Sequence, residues 1–143
     1  MNTIRQLLAL RGTDLWTIRP HDTVFEALRL MADKDVGALV VVEGHQIVGM
    51  ISERDYARKV ILLGRASTDT LVGEIMSTSV VTIHPDQTVE EALALMSTRR
   101  IRHLPVLDAG KLVTVISLDD VVRTIIYHQR QTIKFYEELE LDR

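Results

Sequence analysis

The sequence predicts an α+β fold in which a β-α-β-β-α unit occurs twice. Residues 17–58 align with residues 82–123 at a constant offset of 65, without a gap, and 17 of the 42 aligned pairs are identical. Each copy contains an amphipathic stretch followed by two short apolar runs, which predicts a helix and two strands. Because about 42 residues bury too little apolar surface to be stable alone, the two copies are expected to pack about a pseudo-twofold axis.

The first predicted elements are an N-terminal helix and a short strand. Residues 2–11 alternate polar and apolar side chains at helical spacing before Gly12, which predicts a helix that the glycine ends. Residues 15–18 predict a short strand, and Pro20 stops it. Pro85 holds the equivalent place in the second copy.

Each copy then begins its main helix with a capping-box pattern, a threonine followed three residues later by a glutamate. Thr23 and Glu26 form the pattern in the first copy, and Thr88 and Glu91 form it in the second. Apolar residues follow at helical spacing, which predicts one buried face on each helix. These apolar residues are Val24, Ala27, Leu28 and Met31, and Val89, Ala92, Leu93 and Met96.

Two strands joined by a tight turn follow the main helix of each copy. In the first copy, residues 38–42 and 47–51 are apolar runs on either side of a glycine-containing turn. Residues 104–107 and 112–116 repeat this pattern in the second copy. Each return strand leads into a Ser-x-x-Asp sequence, where another helix is predicted to begin.

The predicted elements divide the chain into five parts. The last helix is expected from about residue 118 to about residue 140, and a helix this long is expected to leave the core in its distal half. That half would then contact a partner chain or fray. The predicted parts are an N-terminal helix (1–14), the first copy (15–62), a linker with a short helix (63–78), the second copy (79–130) and a C-terminal helical tail (131–143).

The composition excludes several classes of protein. The 143 residues are 46% hydrophobic and 26% charged, which is ordinary for a soluble domain. A net charge of −3 argues against nucleic acid as a partner, and the absence of cysteine excludes thiol chemistry. Because no apolar run approaches the length of a membrane helix and residues 1–12 lack a signal-peptide pattern, a cytoplasmic location is expected.

The repeat resembles a pair of CBS domains, also called a Bateman module, of the small standalone bacterial type. Four features carry the resemblance: the Thr-Ile-x-Pro starts, the shared Thr-Val-x-Glu-Ala-Leu helix, the Arg-His-Leu-Pro-Val segment at residues 102–106 and the two Ser-x-x-Asp ends. The resemblance covers residues 15–130. It implies a compact module, often a homodimer, with adenine ligands in clefts between the copies. The ligands it implies are AMP, ADP, ATP, NAD(H) and S-adenosylmethionine.

The Ser-x-x-Asp sequences have the chemistry to hold a nucleotide. A serine at a helix start places its hydroxyl beside backbone N–H groups and the positive end of the helix dipole, which attract phosphate. An aspartate one turn later accepts hydrogen bonds from a ribose diol. Ser52 and Ser117 are therefore predicted to contact phosphate, and Asp55 and Asp120 to contact ribose, as in the resembling family. The same pattern is also an ordinary helix cap, and the two roles are compatible.

The resemblance implies an adenine pocket lined by the first strand and by the start of the second. Backbone groups of Ala38 and His103 are expected to read the adenine edge, with Ile51 or Ile116 against its face. The predicted nucleotide-binding residues are Thr17, Ile18, Pro20, Val36, Gly37, Ala38, Ile51, Ser52, Arg54 and Asp55 in the first copy, and Thr82, Ile83, Pro85, Arg102, His103, Ile116, Ser117 and Asp120 in the second.

Differences between the copies predict two unequal sites. The second copy has Arg102-His103 where the first has the small and neutral Gly37-Ala38, so charge is expected near the second site. The first site has Arg54 after its serine, and this predicts that the site using Asp55 is the more favourable to anions.

These observations bear on three classes of function. The favoured one is a non-catalytic sensor that binds AMP first and NAD(H) second, and whose conformational change an unidentified protein partner reads. The alternative is a dimerisation module whose nucleotide sites are vestigial. An enzyme is not expected, because the chain contains no G-x-x-x-x-G-K-[ST], G-x-G-x-x-G or H-E-x-x-H motif and no cysteine nucleophile. The histidines do not have metal-ligand spacing, so no metal site is expected.

Overall fold

The computed structural model describes residues 2–141, and it separates into two compact units. The first unit is Asp14–Val81, and the second contains the described residues before Asp14 and those from Thr82 onward. In chain order the elements are α1 (Ile4–Arg11), β1 (Thr17–Ile18), α2 (Val24–Lys34), β2 (Ala38–Glu43), β3 (Gln46–Ser52), α3 (Glu53–Tyr56), a π-helical turn (Ala57–Ile61), a 3-10 turn (Ser67–Asp69), α4 (Val72–Ile75), α5 (Val89–Arg99), β4 (His103–Asp108), β5 (Lys111–Ser117) and α6 (Leu118–Leu141).

The first unit is built on a three-stranded sheet in the order β1-β2-β3. β1 runs parallel to β2, and β2 pairs antiparallel with β3 across a tight turn. Thr23 caps helix α2, and its side chain accepts a hydrogen bond from Glu26 N at 3.1 Å. This is one half of the predicted capping box; the contacts of residues 2–141 do not include the reciprocal bond from Thr23 N to the Glu26 side chain. The apolar face of α2 packs on the sheet, and the buried core consists of Ile18, Val24, Ala27, Met31, Leu39, Val41, Ile51, Val60, Val72 and Ile75.

The second unit repeats this arrangement with a shorter first strand. β4 and β5 form an antiparallel pair, and the predicted strand before them is reduced to one parallel bridge between Ile83 and Val106. The main chain of Thr17 pairs with Val40 in the first unit, but the residue equivalent to Val40 is Pro105. Because proline has no N–H to donate, the parallel ladder cannot extend past it.

Helix α4 completes the first unit, although it leads into the second copy of the repeat. The N–H of Val72 donates to the carbonyl of Asp22 at 2.8 Å, and the N–H of Gly73 donates to the carbonyl of Pro20 at 2.9 Å. These bonds satisfy N–H groups of the first turn, which have no partner within the helix.

Helix α1 has the same role in the second unit, although it leads into the first copy. The N–H of Ile4 donates to Gln87 O at 2.8 Å, and the N–H of Arg5 donates to Pro85 O at 2.8 Å. The sequence predicts this helix as a separate N-terminal segment, whereas it packs as part of the second unit. Each copy is therefore completed by the helix that precedes the other copy in sequence.

Helix α6 extends well beyond the core of the second unit. Val121 and Thr124 are buried, whereas the residues from Gln129 to Glu140 are exposed. The predicted C-terminal tail at 131–143 forms the distal part of this helix as far as residue 141, and its last two residues lie outside the described residues. None of the helices in residues 2–141 combines the length and hydropathy needed to cross a bilayer.

Candidate functional site

Both Ser-x-x-Asp sequences form reciprocal caps at the start of a helix. In the first unit, Ser52 N donates to Asp55 Oδ2 at 2.9 Å, and Asp55 N donates to Ser52 Oγ at 3.2 Å. In the second unit, Ser117 N donates to Asp120 Oδ2 at 2.8 Å, and Asp120 N donates to Ser117 Oγ at 3.2 Å. The capping interpretation of these residues therefore holds in both copies.

In each unit the start of the strand that pairs with the return strand, β2 or β4, lies directly beside the cap. Ala38 is the register partner of Ser52, and the N–H of Glu53 donates to the carbonyl of Gly37 at 3.1 Å. His103 is the register partner of Ser117 in the same way. The fold therefore brings two parts of each predicted site together, since residues about fifteen apart in sequence meet at one end of the sheet.

Few N–H groups at the two helix starts remain free for the predicted phosphate contacts. The cap and the strand contacts use the N–H of the serine, of the next residue and of the aspartate. Among the contacts of residues 2–141, this leaves the N–H of Arg54 at one helix start and of Asp119 at the other without a partner. A phosphate at either position would therefore depend mainly on side chains.

A lysine supplies the cation beside the carboxylate of the first copy. Lys59 lies in the π-helical turn, and its Nζ is 3.1 Å from Asp55 Oδ1. The same ammonium donates to the carbonyl of Ile75, the last residue of α4, at 2.9 Å. Ser52 Oγ also donates to Asp55 Oδ2 at 3.1 Å. Both oxygens of Asp55 are therefore engaged within the first unit.

An arginine from a different part of the chain supplies the cation in the second copy. The residue equivalent to Lys59 is Thr124, which is buried and donates to Asp120 O at 2.8 Å. Arg11, the last residue of α1, instead places its Nε 3.2 Å from Asp120 Oδ2. The two carboxylates thus each have one cation, but the two cations come from positions that are not equivalent.

Strand β5 fixes the guanidinium of Arg11 in place. Its Nη2 donates to the carbonyl of Val115 at 2.9 Å, and its Nη1 donates to Thr114 Oγ1 at 3.3 Å. In the first copy, the residue equivalent to Val115 is Met50, whose carbonyl accepts instead from the N–H of Ser77 at 2.8 Å. The equivalent carbonyl groups at this edge of the sheet therefore accept a hydrogen bond from a side chain in one copy and from the main chain in the other.

His103 does not add the charge that its sequence position predicts. Burial lowers the pKa of His103 below its ordinary value of 6.5, which favours the neutral ring at neutral pH. The charge of Asp120 opposes this pKa shift, and the charge of Arg102 adds to it. The Arg102-His103 pair is therefore expected to carry less positive charge near neutral pH than its sequence suggests.

The predicted adenine contacts differ widely in their exposure. Ile51 and Ile116 are fully buried, so neither presents surface to a ligand unless its neighbours move. Of the other predicted contacts, the buried residues are Ile18, Ala38, Ile83 and Pro85, the partly buried ones are Thr17, Pro20, Val36, Gly37 and Thr82, and the exposed ones are Arg54 and Arg102.

Arg11 is a site residue that the repeat does not predict. It precedes the repeat and therefore has no partner at the offset of 65. A weak similarity between residues 2–8 and 70–76 indicates that α1 and α4 are equivalent helices, since Gln6 and Glu74 each complete the cap of their helix. This similarity was the available signal that α1 belongs to a repeat unit. Within residues 2–141 the acidic and histidine side chains form no cluster of three that could hold a metal ion.

Comparison with known sequences finds the CBS domain twice in this chain. The sequence profile described as the CBS domain matches residues 9–61 and 72–127. The CBS domain-containing protein CBSX3 of Arabidopsis thaliana, which is named as mitochondrial, is 40% identical over 128 residues. The alignment covers 86% of this chain and 62% of that protein, so the chain spans less than two thirds of this relative.

Solved structures share the fold over most of the chain. A protein with CBS domains from Burkholderia ambifaria MC40-6 is 46% identical with a TM-score of 0.86, covering 90% of this chain and 96% of that one. The CBS domain pair of protein MJ0100, in complex with 5′-methylthioadenosine and S-adenosyl-L-methionine, has a TM-score of 0.76. It covers 87% of this chain and 99% of its own, and at 24% identity the likeness extends to the fold alone.

Proposed function

Because the chain belongs to the CBS-domain family, we propose that it is a non-catalytic regulatory module that binds an adenosyl ligand at its Ser-x-x-Asp sites. AMP is the first candidate ligand and NAD(H) the second. One observation carries the proposal. In each copy a serine hydroxyl, an aspartate carboxylate and a cation lie together at one end of a sheet, next to the start of β2 or β4.

The chemistry of these groups suits the sugar and phosphate of a nucleotide. A carboxylate accepts two hydrogen bonds from a ribose diol, and a cation beside a serine hydroxyl favours phosphate. The adenosyl ligands of protein MJ0100 support the class of ligand, since that protein has the same fold. The preference for AMP within this class is a proposal that rests on the cations Lys59 and Arg11.

Regulation requires that the ligand bind one conformation of the protein more tightly than another. We propose that an unidentified protein partner reads the resulting change. A cytoplasmic location stays a prediction from the sequence.

A structural dimerisation module with vestigial nucleotide sites is the second candidate. It is favoured by helix α6, where apolar side chains at the heptad-like positions Val122, Ile126, Ile133 and Tyr136 are exposed. Such a stripe suits the same helix of a second copy of this chain, since both partners then cover the same kind of apolar surface. Homodimerisation through this stripe is compatible with ligand binding. The sensor and the dimerisation module therefore differ only in whether the protein binds an adenosyl ligand.

A ligand panel tests the choice between sensor and dimerisation module. AMP, ADP, ATP, NAD⁺, NADH and S-adenosylmethionine are titrated by calorimetry into the wild-type protein, Asp55→Ala and Asp120→Ala, with melting temperature as a second readout. A sensor binds at least one ligand, and binding raises the melting temperature through mass action. One or both substitutions then weaken binding. A wild-type protein that binds none of the six ligands would contradict the sensor and leave the dimerisation module.

A further inference from the structure

We infer that Arg11, at the end of helix α1, makes the second copy selective for phosphorylated over unphosphorylated adenosyl ligands. This rests on the proposed function and assigns a role to a residue that lies outside the repeat. In this role Asp120 binds the ribose, and the guanidinium of Arg11 binds the phosphate beside Ser117.

The guanidinium of Arg11 is held in position by the protein and still has free N–H groups. Three of its five N–H groups are used, one each toward Asp120, Thr114 and Val115. Two N–H groups therefore remain for an incoming oxyanion. The side chain of Arg11 is 30% exposed, so it is reachable from solvent while its position is fixed. A pre-positioned, planar guanidinium binds phosphate through paired hydrogen bonds and loses little conformational entropy on binding.

Asp120 and Ser117 of the second copy also have unused hydrogen-bonding capacity, unlike Asp55 and Ser52 of the first. Asp120 contacts Arg11 and Ser117 through Oδ2, and none of the contacts within residues 2–141 involves its Oδ1. Ser117 Oγ accepts a hydrogen bond from Asp120 N, and its own hydroxyl proton has no acceptor among those contacts. The second copy therefore offers an acceptor for ribose and a donor for phosphate without breaking a bond.

The first copy would have to break internal contacts to bind the same ligand. Ser52 donates its hydroxyl to Asp55, and Lys59 occupies the other oxygen of that carboxylate. Lys59 also donates to Ile75, so one of its three N–H groups remains. We therefore expect the tighter phosphate-dependent binding in the second copy, the reverse of the order that the sequence predicts.

The position of helix α6 adds to this preference. Ser117 stands at the N-terminus of a 24-residue helix, and the positive end of its dipole faces the same region as Arg11. In the first copy α3 is a single turn that continues into a π-helical turn. The longer regular helix and the guanidinium favour an anion at the same point.

The test compares AMP with adenosine, which differ by the phosphate alone. Affinities of both are measured by calorimetry for the wild type, Arg11→Gln and the control Arg123→Gln, which removes an exposed arginine paired with Asp119 on α6. Arg11→Gln is expected to weaken AMP about 10- to 100-fold, as for the loss of a charged hydrogen-bond donor. Adenosine is expected to change by less than about 3-fold, and Arg123→Gln is expected to change neither ligand by more than about 3-fold.

A purely structural role of Arg11 gives a different pattern. If Arg11 only ties α1 to β5, Arg11→Gln weakens AMP and adenosine by the same factor and lowers the melting temperature, and the inference is overturned. If Arg11→Gln does not fold, Arg11→Lys keeps the charge without the planar fork, and AMP alone is expected to weaken. Unchanged AMP affinity in a folded Arg11 variant also overturns the inference.

The outcomes separate this inference from the proposed function. A wild-type protein that binds AMP and adenosine equally well keeps the proposed function and overturns the role of Arg11. A wild-type protein that binds neither of them, nor any other adenosyl ligand, overturns both.

Discussion

Gly49 lies so close to Ser77 that a Cβ atom at Gly49 would stand 2.8 Å from the carbonyl oxygen of Ser77. The same atom would stand 2.7 Å from Met76 Sδ. Only a residue without a side chain lets this segment pair with β3, where Met50 N donates to Ser77 O at 2.9 Å. The equivalent residue in the second copy is Thr114, and there the side chain of Arg11 takes the place of the paired segment.

Substitution of Gly49 is therefore expected to destabilise the protein. In Gly49→Ala the new methyl group meets a backbone carbonyl that cannot move without losing the Met50–Ser77 pairing. Overpacking of this kind costs about 1–3 kcal/mol in the free energy of unfolding. Urea denaturation followed by circular dichroism measures the loss.

The double variant Gly49→Ala/Met76→Ala serves as the control, with Met76→Ala as its reference. The flexible Met76 side chain is gone in this background, so only the contact with the Ser77 carbonyl remains. Most of the loss is expected to persist. If Gly49→Ala causes no loss of stability in the Met76→Ala background, the thioether and not the strand pairing is the obstacle at Gly49.

Lys59 is expected to stabilise the first unit through two contacts made by one ammonium group. Lys59→Met keeps the length of the side chain but removes both the ion pair with Asp55 and the hydrogen bond to the Ile75 carbonyl. We expect a loss of about 1–2 kcal/mol in the free energy of unfolding. The matched control is Arg123→Met, whose ion pair with Asp119 leaves both side chains 78% exposed, and its expected change is below about 0.5 kcal/mol. Equal losses in the two variants would argue against the role of Lys59.

The partly buried ring of His103 makes stability depend on pH. Because burial lowers its pKa in the folded protein, the unfolded chain binds more protons once the pH falls below about 6.5. The free energy of unfolding is therefore expected to decrease as the pH falls from 6.5 through the folded-state pKa. His103→Gln should flatten this dependence, measured by urea denaturation at a series of pH values. A slope identical to that of the wild type would show that other groups cause the effect.

The exposed stripe of α6 predicts self-association that a charge would prevent. Ile126→Lys/Ile133→Lys places two positive charges on the stripe, and like charges on the facing helices of a symmetric pair repel. Light scattering after size-exclusion chromatography is expected to show a dimer for the wild type and a monomer for the variant. Lys134→Glu changes the charge of α6 away from this stripe and should leave the dimer intact. A monomeric wild type at all concentrations would refute the dimer.

The sequence was sufficient for the repeated architecture because its signals are local. Periodicity, threonine caps and the glycine-containing turn depend on residues a few positions apart, and strands β2 to β5 extend only one or two residues beyond their predicted ends. The reciprocal caps at Ser52 and Ser117 follow from the same local spacing. Prediction of these elements needs no knowledge of the tertiary structure.

The cation beside Asp120 was harder to predict because it depends on a tertiary contact, whereas Lys59 is only four residues from Asp55. Arg11 reaches Asp120 only because α1 docks on the second unit, and no local pattern encodes that docking. The shortened strand at Ile83 depends on Pro105, whose missing N–H matters only once the two segments are paired. The lowered pKa of His103 likewise depends on burial by residues that are distant in sequence.

The docking of α1 on the second unit has a consequence for the order of events during synthesis. Asp14–Val81 is continuous, so every segment of the first unit is present once its last residue has left the ribosome. Helix α1 is made before the second copy, and it can complete its contacts only after Pro85, Gln87 and helix α5 have been made. Arg11 is therefore made long before its partner, and its ion pair with Asp120 can form only after residue 120 has been synthesised.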